Sequence, residues 1–169
     1  MISSNLIHRR LGFGIAVGLC ILAFGACEYE VPITPRPTQK VQERLLGDWA
    51  STAGKEKMKV RKLDDSFYIV YYDGDLFRPY HSDIAGTPFA RVQDLNSNDR
   101  KYACVVWKLS DHGKHLSLRN VNRKVIPKET RDSATVAALL TKNARNPELF
   151  GEAIGVYQRE VTGARLHDD

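Results

Sequence analysis

The stretch that decides the fold is SFYIVYYDGDLFRPYHSD, residues 66–83. Its first part, Ser66 to Tyr72, is rich in the β-branched and aromatic residues that favour strands. Asp73-Gly74-Asp75 then supplies an Asp-Gly pair, which is typical of a tight hairpin turn. Leu76 to Asp83 is predicted to return antiparallel to the first strand. Both faces of the first strand carry apolar groups, which favours a central strand or a strand whose outer face is covered.

Working outward, the same alternation recurs on both sides of this hairpin. Further strands are predicted over residues 44–51, 57–63, 88–95, 101–109, 115–121 and 153–161. The period changes to that of a helix in Ser133–Asn143, with Ser133 as candidate N-cap, and a second short helix begins at Pro147. Because each predicted antiparallel connection is short, a meander is the most economical topology. The fold class is therefore mainly β: a curled antiparallel sheet or small β-barrel of about seven to eight strands, with a short helical segment before the last strand.

Composition limits the functions that this chain can have. The 169 residues include 25 Lys and Arg against 20 Asp and Glu, and 43% are hydrophobic. This is the make-up of one globular domain, and neither a disordered polyelectrolyte nor a multi-span membrane protein. Arg9 and Arg10 lie in the segment that we expect to be removed, which leaves 23 cations against 20 acids. So mild an excess, scattered along the chain, does not indicate a nucleic-acid partner.

The first 26 residues have the pattern of an export signal. Arg9 and Arg10 precede an apolar run from Leu11 to Phe24, whose 14 residues are short for a transmembrane helix and suit a signal-peptide core. Gly25, Ala26 and Cys27 follow. Phe24-Gly25-Ala26-Cys27 resembles the lipobox of bacterial lipoproteins, although that family usually has Leu where Phe24 stands.

The lipobox resemblance implies that Cys27 is lipidated after the signal has been cut just before it. The protein would then be held in the cell envelope through its membrane anchor. Glu28 is not the Asp that retains enterobacterial lipoproteins in the inner membrane, so the outer membrane, facing the periplasm, is preferred. The alternatives are an ordinary secretory signal cut near Ala26 and an uncleaved membrane anchor.

The mature chain divides into three parts. Residues 27–40 contain Pro32, Pro35 and Pro37, which favour extended polyproline II and predict a tether behind the lipidated Cys. Residues 41–161 are predicted to form the β domain, and residues 162–169 a flexible polar tail. Cys104 would be the single thiol of the folded part, and its apolar neighbours predict a buried side chain rather than a nucleophile.

Gly47-Asp48-Trp49, at the entry of the first predicted strand of the β domain, resembles the Gly-x-Trp signature of lipocalins and related calycins. The resemblance implies that Trp49 closes one end of a barrel and that a cation from the last strand lies across its ring. Arg159 is the counterpart that this sequence offers. The chain departs from lipocalins in its short length, in lacking their disulfide cysteines, and in the placement of its helices.

The residues that suggest chemistry are few. Asp111, His112 and His115 lie around one predicted turn, and His81 and Asp83 on another strand, but spacing alone does not bring them to one point, so no metal is predicted. No nucleophile elbow, HExxH, CxxC or phosphate-binding glycine loop is present. We therefore expect a non-enzymatic protein without a cofactor. Lys55, Lys57, Lys59 and Arg61 recur with period two and predict a solvated basic stripe, which guards a sheet edge or, alternatively, meets anionic headgroups or peptidoglycan.

Two functions are compatible with this pattern. The first is a structural or protein-interaction lipoprotein with a filled sheet interior and an envelope protein as partner. The second is a lipocalin-like carrier of a small apolar ligand, which would need a cavity of several hundred cubic ångströms. The residues that would line such a cavity are Phe67, Ile69, Tyr71, Val105 and Trp107. The interaction lipoprotein ranks first, because a domain of this size has little chain to spare for a large cavity.

Overall fold

The computed structural model describes residues 28–96, 98 and 101–160. Its strands are β1 (Glu28–Tyr29), β2 (Gly47–Ser51), β3 (Lys57–Lys62), β4 (Tyr68–Tyr72), β5 (Asp75–Ile84), β6 (Thr87–Asp94), β7 (Tyr102–Ser110), β8 (His115–Val121) and β9 (Phe150–Arg159). One α-helix, α1 (Ser133–Lys142), lies between β8 and β9, and 3-10 turns are formed by Glu43–Leu45, Asp111–Gly113 and Pro147–Leu149. The predicted signal (residues 1–26), Cys27 and the predicted tail (162–169) lie outside the described residues.

The sheet is a closed barrel of eight antiparallel strands. From β2 to β9 each strand pairs with the next one in the chain, and β9 pairs back with β2, Trp49 opposite Arg159. β1 lies outside this ring and pairs with β7. The predicted mainly β meander, with its helical segment before the last strand, is confirmed. Closure leaves β3 without a free edge, so the basic stripe on this strand has no edge to protect.

The hairpins follow from local turn chemistry. Asp73 and Gly74 join β4 to β5, and both have positive φ, 48° and 104°. Ala85 and Gly86 join β5 to β6 in the same way. Positive φ at both central residues gives a turn whose twist matches that of the flanking strands, which is why Asp-Gly predicted the first hairpin correctly.

Two hydrophobic cores lie on the two sides of the barrel wall. The inner core fills the barrel and includes Trp49, Tyr68, Tyr72, Trp107 and Tyr157. The outer core lies between the wall and the segments that cover it. Its wall residues are Ile84, Phe89 and Cys104, and its covering residues include Tyr29, Ile33, Ile126, Val136 and Leu140. Burial on both faces explains why β7 is apolar on both sides.

Helix α1 covers the outside of the barrel. Its first turn is capped by Asp132, whose Oδ1 accepts a hydrogen bond from the Thr135 N–H at 2.8 Å. Ser133, the candidate N-cap from sequence, is instead the first helical residue. Within the described part of the chain, no helix has both the length and the apolar character needed to cross a bilayer.

The segment predicted as a tether is packed on the domain. Tyr29 and Ile33 are each only 3% exposed. The Thr34 hydroxyl lies 2.6 Å from the Ser82 hydroxyl, and the Thr38 N–H donates to the His81 carbonyl at 3.2 Å. The prolines do keep this segment out of a helix, as predicted. The expectation of a free spacer is wrong, because Tyr29 and Ile33 bury against the barrel wall.

Candidate functional site

One end of the barrel is closed by a clamp on Trp49. This closed end carries the 3-10 turn Glu43–Leu45 and the connections that follow β3, β5 and β7. The Trp49 side chain is fully buried, and its Nε1–H donates to the Leu45 carbonyl at 3.1 Å. The Arg159 guanidinium lies over the indole with Cζ 4.3 Å from the ring centroid. A cation over an indole face is a favourable electrostatic contact.

Arg159 also ties three chain segments together at the closed end. Its Nη1 donates to the Leu46 carbonyl at 2.6 Å, its Nε to the Gly113 carbonyl at 3.2 Å, and its Nη2 to the Arg44 carbonyl. The planar guanidinium spreads its donors over three nitrogens and so reaches three separate carbonyls, whereas the donors of a lysine all lie on one nitrogen. The predicted pairing of Trp49 with Arg159 is therefore present, and it is part of the fold rather than of a ligand site.

Gly47 makes room for this clamp. Its φ is +139°, a backbone conformation that other residues rarely adopt, and a Cβ at this position would lie 2.5 Å from the Arg159 Nη1. A side chain here would therefore strain the backbone and displace the guanidinium. The three residues predicted as a signature, Gly47, Trp49 and Arg159, form one mutually dependent unit.

The barrel interior contains an unfilled space of about 80 Å³. On the same scale a single water molecule needs roughly 10–15 Å³, and pockets for drug-sized ligands span about 300–1,000 Å³. Its walls are almost wholly aliphatic and aromatic, with His81 and the tyrosines as polar members. The lining residues are Leu45, Met58, Val60, Tyr68, Val70, Tyr72, Phe77, Pro79, His81, Ala90, Val92, Val105, Trp107, Leu116, Leu118 and Tyr157.

His81 is the most polar group in the cavity wall. It is 4% exposed, stacks on Trp107 with centroids 5.0 Å apart, and has its Nδ1 3.1 Å from the Tyr68 hydroxyl. The Gln42 N–H donates to the same hydroxyl at 2.6 Å, so Tyr68 links His81 to the segment that precedes β2. Burial lowers the pKa of His81 from 6.5 to about 4. The ring is therefore neutral at pH 7.

Two further tyrosines meet inside the barrel. The rings of Tyr72 and Tyr157 pack edge to face, with centroids 6.2 Å apart. Burial is the main cause that raises the pKa of both hydroxyl groups, so both stay protonated at any physiological pH. Neither tyrosine is therefore poised as a general base.

The predicted lining residues divide into two groups. Val105 and Trp107 do line the interior, as predicted. Phe67, Ile69 and Tyr71 do not line the interior. Ile69 and Tyr71 are on the outward face of β4, and Phe67 is the residue just before this strand. Tyr71 is 45% exposed, and the Phe67 ring packs on Tyr80. Their neighbours Tyr68, Val70 and Tyr72 point inward instead.

The face of β4 that points into the barrel depends on the register between β3 and β4. Lys59 was predicted to point outward, and in the structure it pairs directly with Tyr71 across β3 and β4. Directly paired residues share a face, and a shift of one residue exchanges the two faces of a strand. The predicted bounds, 57–63 and 66–72, leave a two-residue turn and would pair Lys59 with Val70. This is one residue away from the observed register, so the predicted bounds do not identify the inner face of β4.

The residues weighed as metal ligands stay apart. His81 is inside the barrel, whereas Asp83 is exposed and its Oδ1 accepts from the Gly86 N–H at 2.9 Å. Asp111 and His115 lie 3.6 Å apart at the β7–β8 connection, with His112 in the turn between them. Over residues 28–96, 98 and 101–160, no group of three or more His, Cys, Asp or Glu side chains could hold a metal ion.

The two cysteines and the basic stripe lie outside the barrel interior or beyond the described residues. Cys104 is buried in the outer core at 2% exposure, as its neighbours predicted. Cys27, the predicted lipidation site, lies outside the described residues. The basic stripe lies on the outer face of β3, where Lys57 pairs with Glu160 at 2.8 Å and Arg61 with Asp48 at 2.5 Å.

The class that this geometry defines is an eight-stranded, up-and-down antiparallel barrel with one clamped end and a small apolar interior space. No protein-family model matches the chain, and neither the curated proteins nor the solved structures yield a match.

Proposed function

We propose that this chain is a non-enzymatic lipoprotein of the bacterial cell envelope, anchored through lipid on Cys27. Its barrel serves as a structural or protein-interaction module. The observation that carries this proposal is the filled interior: side chains leave about 80 Å³, well short of the space that a carrier of a large ligand needs. An eight-stranded barrel is just wide enough for side chains to fill, so a solid barrel is a stable solution.

A protein partner is supported by one exposed apolar patch. Tyr71, Leu76 and Leu95 are each 42–45% exposed. Tyr71 pairs directly with Leu76, and the Leu95 N–H donates to the Leu76 carbonyl at 3.0 Å, so the three side chains lie on adjoining backbone. Asp73, Asp75 and Asp94 flank them in the sequence. On the other side, Lys59 of the basic stripe pairs directly with Tyr71. A partner surface with an apolar centre and charged groups of both signs at its rim would complement this patch.

The patch can be tested in intact cells. A photo-cross-linking residue at Leu76 is expected to yield a discrete adduct, whereas the same residue at exposed Lys108, on the outer face of β7, is expected to yield none. Equal adducts from both positions, or none from either, would remove the support for a partner on this patch.

The anchor is tested by replacing its cysteine. Cys27→Ala is expected to release the protein from the membrane fraction, because two or three acyl chains hold a protein stably and their loss leaves no comparable anchor. Cys27→Ser is the matched control, since it also lacks the thiol and is expected to behave in the same way. Firm retention of both variants on the membrane would point to an uncleaved signal instead.

A second function, that of a small-ligand carrier, is favoured by the same interior space. The cavity could hold a small occupant, since eight-stranded barrels can also hold one small ligand. Native mass spectrometry of the mature protein, purified gently, is expected to show the bare chain if the barrel is solid. A retained adduct that disappears in Val105→Phe, which adds volume to the cavity wall, would promote the carrier.

A further inference from the structure

We propose that the loop formed by residues 123–131, here called the anchor-side loop, faces the membrane and that its Lys124 and Lys128 contact anionic lipid headgroups. This inference rests on the proposed lipidation of Cys27. It adds the orientation of the barrel on the bilayer and the chemistry of the lipid surface that it meets.

The first step is the absence of a spacer between the anchor residue and the barrel. Glu28, the residue after Cys27, begins β1 and pairs with Ala103 of β7, while Tyr29 pairs with Tyr102. Consecutive Cα atoms are about 3.8 Å apart. A lipid on Cys27 would therefore hold the outer wall of the barrel near β7 directly against the headgroups.

The second step is the contact between β1 and the anchor-side loop. The Tyr29 hydroxyl donates to the Ile126 carbonyl at 3.0 Å, and Ile126 is itself buried in the outer core. The Glu30 carboxylate forms an ion pair with Arg131. The loop is thus fixed to the two or three residues that follow the anchor, so a bilayer that holds Cys27 meets this loop.

The third step is the charge of the loop. It contains Arg123, Lys124, Lys128 and Arg131 against one acid, Glu129. Arg131 is already paired with Glu30, whereas Lys124 and Lys128 are exposed. Each cation near an anionic leaflet favours contact by about 1 kcal/mol, or roughly fivefold, so the two lysines together favour it by about 30-fold.

The basic stripe on β3 is badly placed for this task. In the eight-stranded ring β3 lies four strands from β7 in either direction, so it is on the opposite side of the barrel from β1. Lys57 and Arg61 are also engaged by Glu160 and Asp48. The stripe therefore supplies a control surface of similar charge that points away from the anchor.

The test uses the full lipidated protein in vesicles of phosphatidylcholine and phosphatidylglycerol. A fluorophore is attached through E129C in the anchor-side loop or, in a second sample, through K59C on the opposite side. Cys104 is buried and Cys27 would carry lipid, so the introduced thiol is the one that reacts. Quenching by a nitroxide on the lipid headgroup then reports which side of the barrel lies on the membrane.

We expect headgroup quenching of the E129C label and little quenching of the K59C label. Adding K124Q and K128Q should lower the E129C quenching in anionic vesicles, whereas adding K57Q and R61Q should leave it unchanged. Equal quenching at both positions, or an E129C signal that is insensitive to the two lysines, would overturn the inference. A protein that fails to float with vesicles at all would instead refute the proposed lipidation.

Discussion

Replacing Arg159 by Met tests whether the clamp on Trp49 holds the closed end together. The substitution keeps an unbranched apolar side chain about as long as the aliphatic stem of arginine and removes the guanidinium. Three carbonyls, those of Arg44, Leu46 and Gly113, lose their donor, and the Trp49 face loses its cation. The Arg44 and Leu46 carbonyls precede β2 and the Gly113 carbonyl lies between β7 and β8, so the loss frees segments that are far apart in the chain.

The expected size of the effect follows from these contacts. A cation over an indole contributes about 0.5–2 kcal/mol, and a hydrogen bond to a charged donor about 1.5–3 kcal/mol. Arg159 is only half-buried, so water can replace part of what the carbonyls lose. We therefore expect R159M to lower the free energy of unfolding by about 2–4 kcal/mol, measured by urea denaturation of residues 28–169.

A control variant on the surface and a double-mutant cycle show whether the loss of stability in R159M comes from the clamp. Lys57 pairs with Glu160 on the surface, where ion pairs contribute little, so K57M should cost little. A double-mutant cycle of R159M with W49F isolates the coupling between cation and ring. A loss for R159M no larger than that for K57M would refute the clamp.

Three further predictions use the same denaturation assay. Gly47→Ala is expected to lower the free energy of unfolding more than Gly74→Ala does. A Cβ at residue 47 would lie 2.5 Å from the Arg159 Nη1, whereas a Cβ at residue 74 would meet nothing within 4 Å. Equal losses of stability would mean that only backbone strain matters. Burial lowers the pKa of His81 from 6.5 to about 4. Between these two values the unfolded chain binds a proton at this histidine and the folded chain does not. The free energy of unfolding that neutral His81 contributes above pH 6.5 is therefore lost as the pH falls towards 4. The loss attributable to His81 is about 3 kcal/mol, and it should vanish in H81F; an unchanged pH profile in that variant would contradict the assignment. Ile33→Ala is expected to cost about 2–4 kcal/mol, because Ile33 is buried in the outer core, whereas a free tether would predict no loss.

The barrel could be predicted from sequence because its signals are local. Asp73-Gly74 fixes one hairpin, and the alternation of Met58 and Val60 with lysines fixes the faces of β3. These features act within a few residues of each other, where turn chemistry and strand periodicity decide the outcome. Trp49 and Arg159 are 110 positions apart, and the resemblance to a known signature, rather than any local pattern, brought them together.

What could not be predicted depends on distant contacts. Strand β4 is apolar on both faces, so its own pattern does not say which face is inside, and Phe67, Ile69 and Tyr71 were assigned to the wrong one. The proline-rich segment gave no periodicity, so the burial of Tyr29 and Ile33 was missed. The two errors have different causes. The face of β4 depends on its register with β3, whereas the burial of Tyr29 and Ile33 depends on a second hydrophobic core outside the barrel.

The central claim is that the mature protein begins at a lipidated Cys27, directly behind which the chain joins the barrel. Intact mass spectrometry of the protein extracted from membranes tests it most directly, with fragmentation of the N-terminal peptide. The account predicts a chain that starts at Cys27 and carries a diacylglyceryl group, with further acylation of the new amino terminus. An unmodified Cys27, or a chain that still includes residues 1–26, would contradict it.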